Sequence, residues 1–365
     1  MVQCLLSGMR ERKTRFWFWT GALILLLATP ASSKKDKAAS NAPWPELLLD
    51  GGRKLTYEQT LKAERDVRGK PGFWTKVVNA AIGEADVRPM VRPFGVAVDS
   101  RGRIIVTDPG IGAVHIFDPN EHKYKLIDRW DNGKDPMLEP QCVAVDEKDN
   151  IYVTDSKAGK VFVFDPRGKT RHVFGSLKGG EGFFKRPTGI AIDNETHRVY
   201  VTDTLRDRVY ILDADGKVIR DFGKRGAEPG EFNLPNAVYV KNGNVVVVDA
   251  MNFRLQLFDR EGKFQQIIGS TGDPAGGIYR PKSVAIDSED HIYIVESEWG
   301  LVEVFDREGQ LLYRFGNGTG FGQFVLPTGL FIDRNDRVYL VDSYNSRVQV
   351  FQYHALKQAA QGAKQ

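Results

Sequence analysis

The stretch RPFGVAVD (92 to 99) returns as PQCVAVD (140 to 146), RPTGIAID (186 to 193), LPNAVYV (234 to 240), RPKSVAID (280 to 287) and LPTGLFID (326 to 333). Its prolines stand at 93, 140, 187, 235, 281 and 327, a repeat of 46 to 48 residues. Each copy is followed by a second apolar run ending in an acid: IIVTD (104 to 108), IYVTD (151 to 155), VYVTD (199 to 203), VVVVD (245 to 249), IYIVE (292 to 296) and VYLVD (338 to 342). A third run follows, from VHIFD (114 to 118) to VQVFQ (348 to 352), and in five copies a fourth, such as IRDFG (219 to 223) or LYRFG (312 to 316). These runs are short, rich in Val, Ile, Tyr and Phe, and bounded by turn sequences such as DPRGK (165 to 169) and DADGK (213 to 217). Such composition fits pleated strands joined by hairpins. Four antiparallel strands per unit and six units specify an all-β, six-bladed β-propeller over residues 92 to 353.

The sixth copy has no fourth run, which leaves a sheet edge unpaired and a ring open. Residues 46 to 91 must supply the missing strand. KLTYEQTL (54 to 61) reads as a strand, and residues 53 to 62 are assigned to close the ring. Between Phe73 and Ile82, Trp74, Val77, Val78 and Ala81 fall at helical spacing, so 72 to 82 is assigned as a short amphipathic helix. The reverse assignment also closes the ring.

The quoted units resemble the NHL-repeat family of β-propellers. The pattern is a proline, a small residue and an apolar strand, then a strand ending in Asp, a short loop, an Arg and another strand. A glycine-rich link then leads to the next proline. GSLKGGEGFFKRPTG (175 to 189), GNGTGFGQFVLPTG (316 to 329) and VDSYNSRVQVF (341 to 351) carry it. The resemblance implies the fold and little of the chemistry, because propellers host lyases, lactonases, RNA readers and scaffolds alike.

Residues 1 to 31 read as a signal peptide or signal anchor. RERKTR (10 to 15) precedes the apolar FWFWTGALILLLA (16 to 28) and the small residues TPASS (29 to 33). Cleavage after Ala31 or Ser33 would release an exported protein of the periplasm or cell envelope; retention would tether it to the membrane by this segment alone. Residues 32 to 45 read as a flexible linker and 354 to 365 as a tail. The leader also skews the charge. The whole chain has 51 basic and 47 acidic residues, and without 1 to 31 the balance is 47 against 46. A near-neutral body has no electrostatic footprint for nucleic acid. Beyond the leader only Cys142 remains, in the small-residue slot of its unit, so no intramolecular disulfide forms.

A propeller's working face is expected at the channel mouth, where the links into the inner strands meet the loops between second and third strands. The residues following the prolines there are Phe94, Gln141, Thr188, Asn236, Lys282 and Thr328. A calcium-dependent lactonase would need several acidic oxygens at these positions, and Gln141 and Asn236 cannot build that cage. The zinc-dependent peptidylglycine amidating lyases, which also resemble this repeat, need histidines at the mouth. His115, His122, His172, His197, His291 and His354 fall elsewhere. No cofactor or metal is therefore expected. The six repeated acids, from Asp108 to Asp342, are expected to cap turns, with Arg208, Arg254 and Arg347 near them.

What breaks the repeat is more informative. The same loops carry Ile111, Leu205, Met251, Phe253, Trp299 and Tyr344, while Arg92, Arg186 and Arg280 precede the prolines of alternate units. The candidate binding set is Arg92, Arg186, Arg280, Phe253, Trp299, Tyr344, Gln141, Asn236 and Lys282. An aromatic and cationic rim of this kind fits a protein or peptide partner, or a small anionic ligand. The expectation is a non-catalytic binding propeller; the alternative is a lyase or hydrolase with a divergent channel site.

Overall fold

The computed structural model describes residues 46–49, 52–68, 88–131, 133–269, 277–316 and 323–355. The leader, the linker and the helix assigned to 72 to 82 lie outside the described residues, as does most of the tail. Within them the six repeats form six antiparallel sheets around an axis, each running from an inner to an outer strand. Blade 1 comprises Val96–Val98, Ile104–Asp108, Ala113–Asp118 and Lys123–Ile127. Blade 5 comprises Pro281–Ile286, Ile292–Glu296, Leu301–Phe305 and Leu311–Gly316.

Blade 6 settles the closure. Its inner three strands, Pro327–Ile332, Arg337–Asp342 and Arg347–His354, are completed by Lys54–Leu61. That strand pairs antiparallel with the last one from Lys54 opposite His354 to Leu61 opposite Val348, with one bulge between Tyr57 and Gln59. Leu55 and Leu61 are fully buried beneath it. Glu46–Leu48 then adds a fifth strand outside it. On the other side, the inner strand of blade 6 packs on that of blade 1, and Thr328 Oγ1 donates to the Phe94 carbonyl at 2.9 Å. The chain therefore fastens its N-terminal and C-terminal strands in one sheet, which completes blade 6 on its outer side.

The second and third strands of every blade are buried almost throughout, and their Val, Ile, Tyr and Phe side chains form the layers between blades. Near the axis the inner strands approach so closely that little side chain fits. A Cβ at Gly95 would meet the Gln141 carbonyl oxygen at 2.8 Å, and one at Gly189 would meet Ala237 Cα at 2.6 Å. This crowding explains the small-residue slot. Cys142 occupies it as a small hydrophobe, and burial pushes its thiol up to about 12.

Candidate functional site

Two ends of the ring differ in construction. One end carries the links into the inner strands and the loops between second and third strands. The other carries the remaining hairpin turns.

At the first end, the repeated acid fastens link to loop. Asp108 accepts from the backbone N–H groups of Val91 at 2.6 Å and Arg92 at 3.0 Å, and Asp155 from those of Leu138 and Glu139 at 2.7 and 3.0 Å. Asp203 does the same for Lys185 and Arg186, and Glu296 for Tyr279 and Arg280. All six acids are buried. Their role is thus to hold the segment before each proline, a longer reach than a local turn cap. Arg254 and Arg347 pair with Asp249 and Asp342 at 2.8 and 2.6 Å, whereas Arg208 pairs with Asp221 on the outer strand of its own blade.

Just after the proline, the register between inner and second strands slips in blades 2 to 6, as between Pro281 and Val284 in blade 5. A bulge of this kind re-aims side chains. In blades 1 to 3 a threonine of the second strand bonds the inner-strand backbone just after the proline. Thr107 Oγ1 accepts from the Gly95 N–H at 2.8 Å and donates to the Gln141 carbonyl of the next blade; Thr154 likewise bonds Cys142 and the Thr188 carbonyl. Sequence reading passed over these threonines, although VTD in three units against VVD, IVE and LVD in the others was the available signal.

The nine candidate side chains divide. Gln141 is buried and donates to Glu139 at 3.0 Å, and Asn236 Nδ2 donates to the Pro281 carbonyl at 3.0 Å, so both serve the ring. Phe253 adopts φ 54° and is half-buried, leaving Met251 as the exposed tip of that loop. Trp299 is 50% exposed and Tyr344 73%. Arg92 is exposed, its guanidinium without a partner among the described residues; Arg186 stands 3.7 Å from Glu139, and Arg280 2.8 Å from Glu298. Lys282 is half-buried. Desolvation lowers its pKa, and the charges of Arg280 and Arg186 lower it further.

The same end holds most of the exposed apolar surface. Fifteen large hydrophobic residues are exposed among the described residues, and all but Leu48, Val218, Ile219 and Leu312 lie in these links and loops. Ile111, Leu205, Met251, Trp299 and Tyr344 come from the loops, Val91, Leu138, Leu177, Tyr279, Val325 and Leu326 from the links. Tyr279 and Trp299 meet edge to face at 5.8 Å.

Concave space lies at the opposite end. A cavity of about 330 Å³ follows the axis from the small residues Gly95, Cys142 and Gly189 to Asp99, Asp146 and Asp149 at the opposite end. A second, of about 500 Å³, opens between blades 6 and 1. Their polar groups are occupied by the hairpins: Asp99 pairs with Arg103, Asp146 accepts from Asn150 and Tyr152, and Asp149 accepts from Ser100. Volume and exposed apolar surface thus point to different faces. Exposure is the better guide here, because the cavity rims already use their charges internally.

Blade 5 departs most from the pattern. In blade 4, Gln256 on the third strand donates to Asp249 at 3.0 Å. Glu303 holds the corresponding place in blade 5, so a second buried carboxyl faces Glu296; they are 2% and 1% exposed. Arg314 reaches Glu303 Oε1 at 2.7 Å, while Oε2 is buried without a partner. Burial, with the neighbouring Glu303 charge, pushes Glu296 up to about 7. The histidines do not converge at the mouth, and only His115 nears its acids, with Nε2 3.4 Å from Asp108 among the described residues. His115 lies buried inside blade 1 against Tyr124, His291 pairs with Asp287 at 2.9 Å, and His354 ends the last strand against Thr56. Among the described residues no group of three or more His, Cys, Asp or Glu is placed to hold a metal ion.

Comparison with known proteins supports the fold at two levels. Residues 184–255 match a family described as a 6-bladed beta-propeller, and residues 137–164 and 324–351 match the NHL repeat. Among solved structures, streptogramin B lyase is similar at 13% identity and a TM-score of 0.53, covering 73% of this chain and 94% of that one. Virginiamycin B lyase from Staphylococcus aureus is similar at 14% identity and a TM-score of 0.53, covering 82% and 99%. A structural genomics protein of unknown function from Bacteroides thetaiotaomicron reaches 0.59 at 13% identity, covering 85% and 84%. At such identities the likeness is one of fold. No curated protein matches the chain. Repeat sequence, blade number and strand order make the chain a six-bladed β-propeller that carries NHL repeats at 137–164 and 324–351.

Proposed function

We propose that the protein is a binding propeller of the cell envelope that docks a protein or peptide partner on its channel-mouth face. The observation that carries this reading is the concentration of exposed large apolar side chains in the links and loops of that one end. Contiguous apolar surface rimmed by charge is the usual mark of a contact site, and tryptophan, tyrosine and arginine are its usual anchors. Trp299, Tyr279 and Tyr344 would supply the aromatic area, with Arg92, Arg186 and Arg280 around them. The apolar segment at 16 to 28 supports export, or tethering by an uncleaved leader. N-terminal sequencing should find the mature chain beginning between Ser32 and Lys34; an intact Met1 on membrane-bound protein would make the leader an anchor.

The docking reading is tested by quantitative co-purification from the native host. Trp299→Ala combined with Tyr344→Ala should reduce partner recovery about tenfold or more, as loss of about 2 kcal/mol at a contact centre requires. Lys148→Ala and Glu261→Ala, on the opposite face, should leave it unchanged. Retention in the first variant with loss in the second would overturn the assignment.

A further inference from the structure

Lys282 is a charge of the docking face that is both half-buried and without a partner among the described residues. Lys282 follows Pro281 at the bulge of blade 5, half-buried at the channel mouth, and has no hydrogen bond or ion pair among the described residues. Arg280 and Arg186, whose charges act on Lys282, each have an acid nearby, Glu298 at 2.8 Å and Glu139 at 3.7 Å. Among the described residues these three cations thus share two carboxylates, and the ammonium is left over. A partly buried cation without a counter-ion, pressed by like charges, is held at a cost that an incoming anion relieves. The surplus is one positive charge, which fits a monoanion better than a dianion. A second orphan stands beside it: Asn236 Nδ2 is bonded to the Pro281 carbonyl, while Asn236 Oδ1 is buried without a donor. On the same blade, the Tyr279 and Trp299 rings give an apolar body somewhere to lie.

We propose that Lys282, flanked by Arg280 and Arg186, seats a single carboxylate carried on an apolar molecule or chain end. The proposal deepens the docking reading and rests on it, because the carboxylate belongs to whatever the aromatic rim receives. Guanidinium groups contribute paired donors suited to the two carboxylate oxygens, and Lys282 contributes the point charge.

The test is calorimetric titration of the mature protein with 3-phenylpropionate and its uncharged amide, phenyl phosphate, and a short peptide ending in Phe with a free or amidated C-terminus. Both carboxylates should bind saturably, and each amide at least about tenfold more weakly, a difference of about 1.4 kcal/mol. Tighter binding of the peptide acid than of phenylpropionate identifies a chain end; the reverse identifies a small acid. Lys282→Gln should lose at least about tenfold for the acids and melt no lower than the parent. Lys282→Arg should retain binding, and Lys148→Gln on the opposite face should match the parent. Equal binding of acid and amide, preference for phenyl phosphate, unchanged binding in Lys282→Gln, or no saturable binding by the parent would each overturn the seat. Loss of the seat with mouth-dependent partner recovery intact leaves the docking reading standing; carboxylate binding without such recovery removes the docking reading alone.

Discussion

Blades 4 and 5 share strand order and the pairing of their second and third strands, yet they treat the same buried position in opposite ways. In blade 4, Asp249 accepts from the Asn233 N–H at 2.7 Å and from Asn252, Arg254 and Gln256 at 2.8, 2.8 and 3.0 Å. Its charge is fully answered. In blade 5, Leu301 stands where Arg254 stood and Glu303 where Gln256 stood, so Glu296 keeps its link N–H bonds but faces a second acid. The scaffold can be built without this arrangement, since blade 4 is. Tyr279, Arg280, Lys282 and Trp299 belong to the same blade. Repeated positions carry the ring, and blade 5 departs from the repeat both inside, at Glu303, and at the channel mouth, at Lys282 and Trp299.

The largest expected effect sharpens the blade 4 side. Asp249→Ala removes the partner of buried Arg254 and unfastens the link, and should destabilise the protein by about 3 to 5 kcal/mol in chemical denaturation. A loss near zero would mean that the repeated acids are not structural.

The next effect belongs to blade 5 and depends on pH. Glu296 binds its proton more tightly in the folded state, at about 7 against an ordinary 4.5. Its contribution is therefore fully present below 4.5 and is lost as pH rises to about 7, up to about 3 kcal/mol in all. Denaturation of the parent and of Glu296→Gln from pH 4.5 to 8 should show the difference between them changing in that window. A constant difference would remove the paired-carboxyl account. Glu303→Gln, which removes the like charge but can still accept from Arg314, should raise stability at pH 8 by about 1 kcal/mol. The smallest effect is on folding at the rim: Trp299→Ala or Tyr344→Ala should each shift stability by no more than about 0.5 kcal/mol, as expected of exposed side chains.

Much of this was legible in the repeats. Prolines at fixed spacing, alternating apolar runs and glycine-bearing turns fixed blade number and strand order, because they are local signals repeated six times. The closing strand was legible too, since KLTYEQTL has a strand pattern; choosing it over the Phe73 to Ile82 segment needed the observed pairing with Arg347–His354. The channel-mouth loops could be placed from topology, which located Trp299, Tyr344 and Lys282. Whether a polar residue there is free could not be read, because that depends on contacts between blades. Gln141 and Asn236 look like ligand-binding amides in sequence and turn out to be tied to Glu139 and the Pro281 carbonyl. The meeting of Glu296 and Glu303 was hidden for a related reason: each sits in an ordinary strand position, and only cross-strand register brings the two together.

The most direct test of the docking face is site-specific photo-crosslinking in the native host, with a photoreactive phenylalanine placed at position 251 or 344 on the channel-mouth face and at 167 or 215 on the opposite face. The account predicts that the first pair crosslinks to a common macromolecular partner and the second pair does not. Crosslinking confined to 167 and 215 would contradict it and move the working surface to the end of the ring that carries the cavities.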